Sequence, residues 1–319
     1  METPKTLMAA IQFFGDPDNA LRYFASKRWP NGVRCPYCDT DTPMFLQTRR
    51  IWKCRKCRKQ FSAKVGTIFE DSPLPLGKWL TAAWLIGNCK NGVSSYEIAR
   101  DIGVTQKSAW FMLHRLRRSM QDPQTGGKLG GEIEVDETFI GGKSRNMHLA
   151  KRRKKIFAPG PHGKAIVAAV LERGGRVKAA VISKRRKLQL HELVRSNVEP
   201  GSALYSDALQ SYDGLKDDYL HQVVDHAECY VEGQVHTNGL ENFWCLLKRG
   251  LNGTYVSVEP FHLFRYVDEE AFRFNERGDE SGDAGRFARI CSQAPGRRLT
   301  WKQLTGKAQD QQALSAQPE

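Results

Sequence analysis

Apolar positions follow two different rhythms along this chain, and the change of rhythm divides it. Residues 1–32 repeat at helical spacing until Pro30, Asn31 and Gly32 break the run. Residues 33–70 carry only short apolar runs between paired cysteines. The stretch "DSPLPLG" at 71–77 reads as a linker, because two prolines interrupt any helix. Helical spacing returns over 78–121, where "KWLTAAWLIGNCK" sets Trp79, Ala83, Trp84 and Ile86 near one face. Ser94 with Glu97 fits a capping box for a short helix. Gly103 and Val104 then form a turn, and Thr105 or the residue before it caps a longer helix with Trp110, Leu113 and Leu116 inward. A second linker, "DPQTGGKLGG", spans 122–131.

From residue 132 a two-residue alternation appears. In "EIEVDETFI", Ile133 and Val135 share one face, and Glu134 and Asp136 share the other. "KAIVAAVLE" and "RVKAAVIS" follow as a hairpin turning at Gly174-Gly175. Then come a helix, "KLQLHELVRSNV", a strand, "SALYSDA", a strand, "HQVVDH", and a helix, "TNGLENFWCLLKRGL". Three antiparallel strands and then alternating helix and strand is the order of a ribonuclease H-like fold with a mixed five-stranded sheet. In that order the first and fourth strands are neighbours. The expectation is a multidomain α+β and α/β chain. Its parts are an N-terminal helical segment (1–32), a cysteine domain (33–70), a helix pair (78–121), a sheet domain (132–277) and a C-terminal tail (278–319) whose last fifteen or so residues fray.

Charge narrows the function. The 319 residues carry a net charge of +14, which favours a polyanionic partner, nucleic acid first. No apolar run approaches the roughly 20 residues that span a bilayer, and the N-terminus lacks a secretion signal. A cytoplasmic, nucleoid-associated protein with no membrane partner and no small-molecule substrate is expected.

Cys35-x2-Cys38 and Cys54-x2-Cys57, fifteen residues apart, match a four-cysteine zinc ribbon. Two tight turns present four thiolates about one ion and leave no open position, so the zinc is structural. Cations crowd the second turn, Arg55 and Lys56 among them, and read as a phosphate-contacting surface. The short-helix, turn, long-helix pattern over 94–120 reads as a helix-turn-helix. There Gln106, Lys107, Ser108, His114, Arg115, Arg117 and Arg118 are available to face DNA. Seven Lys or Arg between Lys143 and Lys155, including Arg152 and Lys154, read as an arm against the DNA backbone.

Three acids complete the pattern. Asp136 and Asp207 lie on strands, and Glu241 lies on a helix, with 33 residues between Asp207 and Glu241. Carboxylates that converge in this way hold divalent cations, Mg2+ or Mn2+, on a phosphodiester. Lys248, seven residues past Glu241, shares its helical face and suits a phosphate. Glu132, Glu134 and Glu137 crowd Asp136 as alternative ligands, and Asp213 and Asp225 are alternatives to Asp207. His236 reads as an orienting group or a cap.

The cysteine pairs, "EVDETFIGG", "YSDALQSY", "HTNGLENFWCLLKRG" and "FRYVDEEAFRFNER" together resemble bacterial insertion-sequence transposases of the ISXO type, over about residues 20–277. That resemblance implies a DDE-class enzyme with an N-terminal zinc ribbon, with Asp136, Asp207 and Glu241 as its triad and Lys248 as the basic residue after it. It also brings in Asn238, since some relatives carry Asn as third ligand. A carboxylate binds a hard cation better than an amide, so Glu241 is the expected ligand and Asn238 the helix cap. The implied activity is binding of terminal inverted repeats, DNA cleavage and strand transfer by an oligomer on DNA. Two alternatives remain at this point: a DNA-binding regulator with an inert domain, and a structure-selective nuclease.

Overall fold

The computed structural model describes residues 4–121, 127–142, 147–150, 153, 163–207, 212, 214–224 and 236–306, with backbone alone at 207, 223 and 224. The chain forms two compact units. One is drawn from both ends, up to Gln121 and again from Glu276; the other is Asp122–Asn275 between them.

In the first unit, α1 (Leu7–Gly15) and α2 (Pro17–Arg28) meet at Asp16, whose side chain accepts the Asp18 and Asn19 N–H groups while Pro17 opens α2. Three short antiparallel strands follow: β1 (Pro43–Leu46), β2 (Ile51–Cys54) and β3 (Gln60–Phe61). Next come α3 (Leu76–Asn88), α4 (Ser95–Ile102) and α5 (Gln106–Met120). The capping box at Ser94 and Glu97 forms, and Gly103 ends α4 at φ 62, a conformation that favours glycine.

The chain returns to this unit for a C-terminal helix, Gly282–Ser292. Phe287 on that helix is fully buried between Phe14, Tyr23 and Trp84. The composition of this stretch suggests a tail, but its apolar residues complete the core of the N-terminal helices.

In the second unit, β4 (Glu132–Ile140), β5 (Ala165–Glu172) and β6 (Val177–Ile182) are antiparallel neighbours. After α6 (Lys187–Asn197), β7 (Ala203–Asp207) and β8 (Leu220–Val224) add parallel strands beyond β4. The sheet order is β6-β5-β4-β7-β8. Alternation along β5 feeds two cores. Ala168 and Val170 join Ile133, Val135 and α6 on one face. Val167, Ala169 and Leu171 join α7 (Asn238–Arg249) and α8 (Leu263–Asn275) on the other.

Both faces of the central strands are therefore covered by helices, and Glu134 and Asp136 of β4 stand on the face that α7 covers. No helix among the described residues is long and apolar enough to cross a membrane.

Candidate active site and metal centre

The two cysteine turns converge. The Sγ atoms of Cys35, Cys38, Cys54 and Cys57 all lie within 4.8 Å of one another. Two of the separations are 3.7 Å (Cys35–Cys57) and 3.5 Å (Cys38–Cys54). A tetrahedral ion with bonds of about 2.3 Å to sulfur sets its ligands roughly 3.8 Å apart, so the donor set fits zinc. Each turn is finished by a non-glycine residue in the left-handed region: Asp39 at φ 54 after Cys38, and Arg58 at φ 60 after Cys57. Behind the cysteines Trp52 stacks on Phe61, and Trp29 meets both rings edge-on. Arg55 and Lys56 are exposed. Arg50 instead pairs with Asp18, and Lys64 donates to the Ser72 and Leu74 carbonyls.

On α5 the structure separates the cations that the sequence groups together. Lys107 is exposed, with its ammonium 4.9 Å from the Trp301 ring. His114, Arg115 and Arg117 are buried, Arg117 to 1% exposure. The reading of these three as facing DNA is corrected by their burial, and for Arg115 the C-terminal segment supplies part of the cover. Arg115 donates to the Leu299 and Glu70 carbonyls, and Trp301 packs edge-on against Trp110 and Phe111. Arg297 donates to the Arg118 and Gln121 carbonyls, which the end of α5 leaves open. The helical period of α5 carries no sign of a cover supplied 180 residues later.

The acids of the second unit are set by strand register. Val135 pairs with Ser206 across the parallel β4–β7 ladder, and one residue further along stand Asp136 and Asp207. Asp207 closes β7, where its backbone pairs with Val224. Half-buried Asp136 accepts the Glu137 N–H on Oδ1 and the Trp244 indole N–H on Oδ2, both at 2.8 Å. Trp244 is on α7, one turn after Glu241. Glu241 and Lys248 are both exposed on that helix.

The neighbouring acids have other partners. Glu137 receives Arg185 and Tyr212 on the opposite face of the sheet. Glu132 accepts the Tyr205 hydroxyl, and burial together with that bond raises the Tyr205 pKa. Glu134, only 1% exposed, meets Arg173 at 3.2 Å and His236 at 3.4 Å through Oε1, and accepts the Leu240 N–H at 2.9 Å through Oε2.

That last bond replaces the cap expected from Asn238. Asn238 is the first residue of α7, and Thr237 before it makes no side-chain cap bond. The helix start is satisfied from strand β4 instead. Local sequence could not reveal this, although the Glu132–Glu134–Asp136 alternation on a buried strand was a signal. Arg152, Lys154, Asp213 and Asp225 lie outside the described residues.

Two family models match the chain. The ISXO2-like transposase domain covers residues 128–275, and the transposase zinc-ribbon domain covers residues 15–60. An uncharacterized protein in transposable element ISH50 of Halobacterium salinarum is 26% identical over 258 residues, covering 77% of this chain and 86% of the relative. An uncharacterized transposase-like protein of Haemophilus influenzae is 30% identical over 101 residues, covering 31% of this chain and 81% of the relative. A solved structure of the simian T-cell lymphotropic virus intasome with a PP2A regulatory subunit aligns at TM-score 0.27 and 13% identity, over 58% of this chain and 66% of that one.

Proposed function

The chain belongs to the ISXO2-like transposases of the DDE class that carry an N-terminal zinc ribbon, and from that premise we propose that it cleaves the ends of its insertion sequence and joins them to target DNA. The observation that carries the reading is the juxtaposition of Asp136 and Asp207 at equivalent points of two adjacent parallel strands, with α7 held on Asp136 through Trp244. The sheet order is that of a ribonuclease H-like domain, and this supports the same assignment.

In this reading Asp136, Asp207 and Glu241 would hold the divalent cations, Mg2+ or Mn2+. Hard carboxylate oxygens suit both ions. Held by those residues, a divalent cation would supply the Lewis acidity that activates water or a 3′-hydroxyl toward a phosphodiester. The protein's own part is orientation. Trp244 and the Glu137 N–H each fix one oxygen of Asp136 and so set the orientation of its carboxylate. Lys248, two helical turns beyond Glu241, receives a DNA phosphate. The ribbon cations Arg55 and Lys56 and the α5 residue Lys107 contact the backbone of the terminal repeats, and Arg152 and Lys154 extend that surface. Two ends are joined, so at least two subunits assemble on DNA.

The test uses purified protein, labelled terminal-repeat DNA and Mg2+. The native chain is expected to nick and join the DNA. Asp136→Ala and Asp207→Ala should bind the ends and do neither. Strand transfer by either variant would overturn the assignment.

A further inference from the structure

One sheet step away from Asp136 and Asp207 lies a second polar layer, centred on Arg173. Glu134 and Tyr205 are register partners across β4 and β7, two residues before Asp136 and Asp207 respectively. The two-residue period therefore puts them on the same face as those acids. Arg173 stands over the Tyr205 ring at 4.1 Å, donates from Nε to Glu134, and donates from Nη2 to the His236 carbonyl at 2.8 Å. Glu134 in turn holds the Leu240 N–H, the residue before Glu241.

These contacts reach all three elements that carry the acids. Both Glu134 oxygens are taken by protein donors, as a buried carboxylate requires, so Glu134 is committed to a different task from Asp136. A carboxylate at the start of α7 also favours the helix electrostatically. The approach is tight: a Cβ on Gly239 would lie 2.4 Å from Leu171 Cδ2 and 2.8 Å from Glu134 Oε2, so a larger residue there has to push the Leu171 side chain and the Glu134 carboxylate aside.

We propose that Arg173, Glu134 and Gly239 are positioning residues that lock the start of α7 to β4 and β7, and so fix where Glu241 stands relative to Asp136 and Asp207. The inference rests on the reading of those three acids as the metal-binding set. Mg2+ demands near-ideal octahedral geometry, whereas Mn2+ is expected to tolerate a displaced ligand better. Loosening the clamp should therefore weaken Mg2+ more than Mn2+.

The experiment compares the native full-length chain with Arg173→Lys, Glu134→Gln, Gly239→Ala and Asp136→Ala. Four quantities are read: Mg2+ and Mn2+ affinity by calorimetry, hydrogen exchange of a peptide spanning 237–244, DNA nicking in each metal, and thermal melting. Arg173→Lys and Gly239→Ala guard against a Glu134 variant that does not fold. The clamp variants should bind terminal-repeat DNA within about threefold of native. They should lose tenfold or more in Mg2+ affinity and nicking, recover much of the nicking in Mn2+, and exchange the 237–244 amides at least tenfold faster.

Native Mg2+ affinity and exchange in the folded clamp variants would overturn the proposal. Equal losses in both metals that merely follow the melting temperature would overturn it too. If Asp136→Ala itself keeps native metal affinity and nicking, the metal-site reading falls. If Asp136→Ala is inert and the clamp variants behave as native, the clamp alone falls.

Discussion

Replacing Phe287 by Ala tests whether the C-terminal helix belongs to the core of the first unit. The Phe287 ring is fully buried, with centroids 5.3 Å from Phe14, 5.3 Å from Tyr23 and 5.2 Å from Trp84. Truncating a buried Phe costs about 3–5 kcal/mol when the surroundings cannot collapse into the space. Three ring partners from three separate helices make collapse difficult here. At about 2–4 °C per kcal/mol for a unit of this size, the melting temperature should fall by roughly 6–20 °C. Differential scanning calorimetry on the full chain resolves the effect if the two units melt separately. The transition of the unit that carries the four cysteines should drop, and that of the sheet unit should stay. Phe264→Ala, at a position 36% exposed on α8, is the control and should move either transition little. A fall of under about 2 °C, well below what a buried ring contributes, would refute the packing argument. So would an equal fall in both transitions.

Other expectations follow from the sites. Metal analysis should find one tightly bound zinc per chain, and Cys57→Ser or chelation should unfold the ribbon and weaken end binding; full-strength binding by zinc-free protein would sink this. Lys107→Ala should leave melting unchanged and reduce the salt dependence of DNA binding by about one counterion. Arg117→Ala should instead lower stability, by about 1–3 kcal/mol for a fully buried side chain, with the salt slope unchanged; titrating both variants over a range of salt separates the two roles. Glu241→Gln should be inert in strand transfer. Asn238→Ala should melt within about 0.5 kcal/mol of native, because Glu134 supplies the helix cap; a dead Asn238→Ala beside an active Glu241→Gln would reverse the ligand roles.

The strand alternation that marks Asp136, and the run that ends at Asp207, were legible because one face of each strand is apolar and register follows from that. The capping box at Ser94 was legible because its partners are three residues apart. What escaped was set at a distance. Arg117 and Arg115 read as surface cations because charge is normally exposed, and a segment that holds Arg115 joins the chain after the whole sheet unit. Asn238 reads as the cap of α7 because local sequence offers only local caps. The strand residue that fills the role is 106 positions away. Gly239 carried a trace of it, since a glycine in the first turn of a helix has little reason to be there unless something packs close.

The return of the chain to its first unit has a consequence for synthesis. More than 160 residues separate Gln121 from Phe287. At about 5–20 residues per second, a ribosome takes roughly 10–30 s to cover that distance. Throughout that interval the nascent N-terminal helices hold Phe14, Tyr23 and Trp84 without the ring that completes their packing. The first unit is thus finished last, after the sheet unit has emerged, and a chain released early would carry the sheet unit tethered to an incomplete helical core.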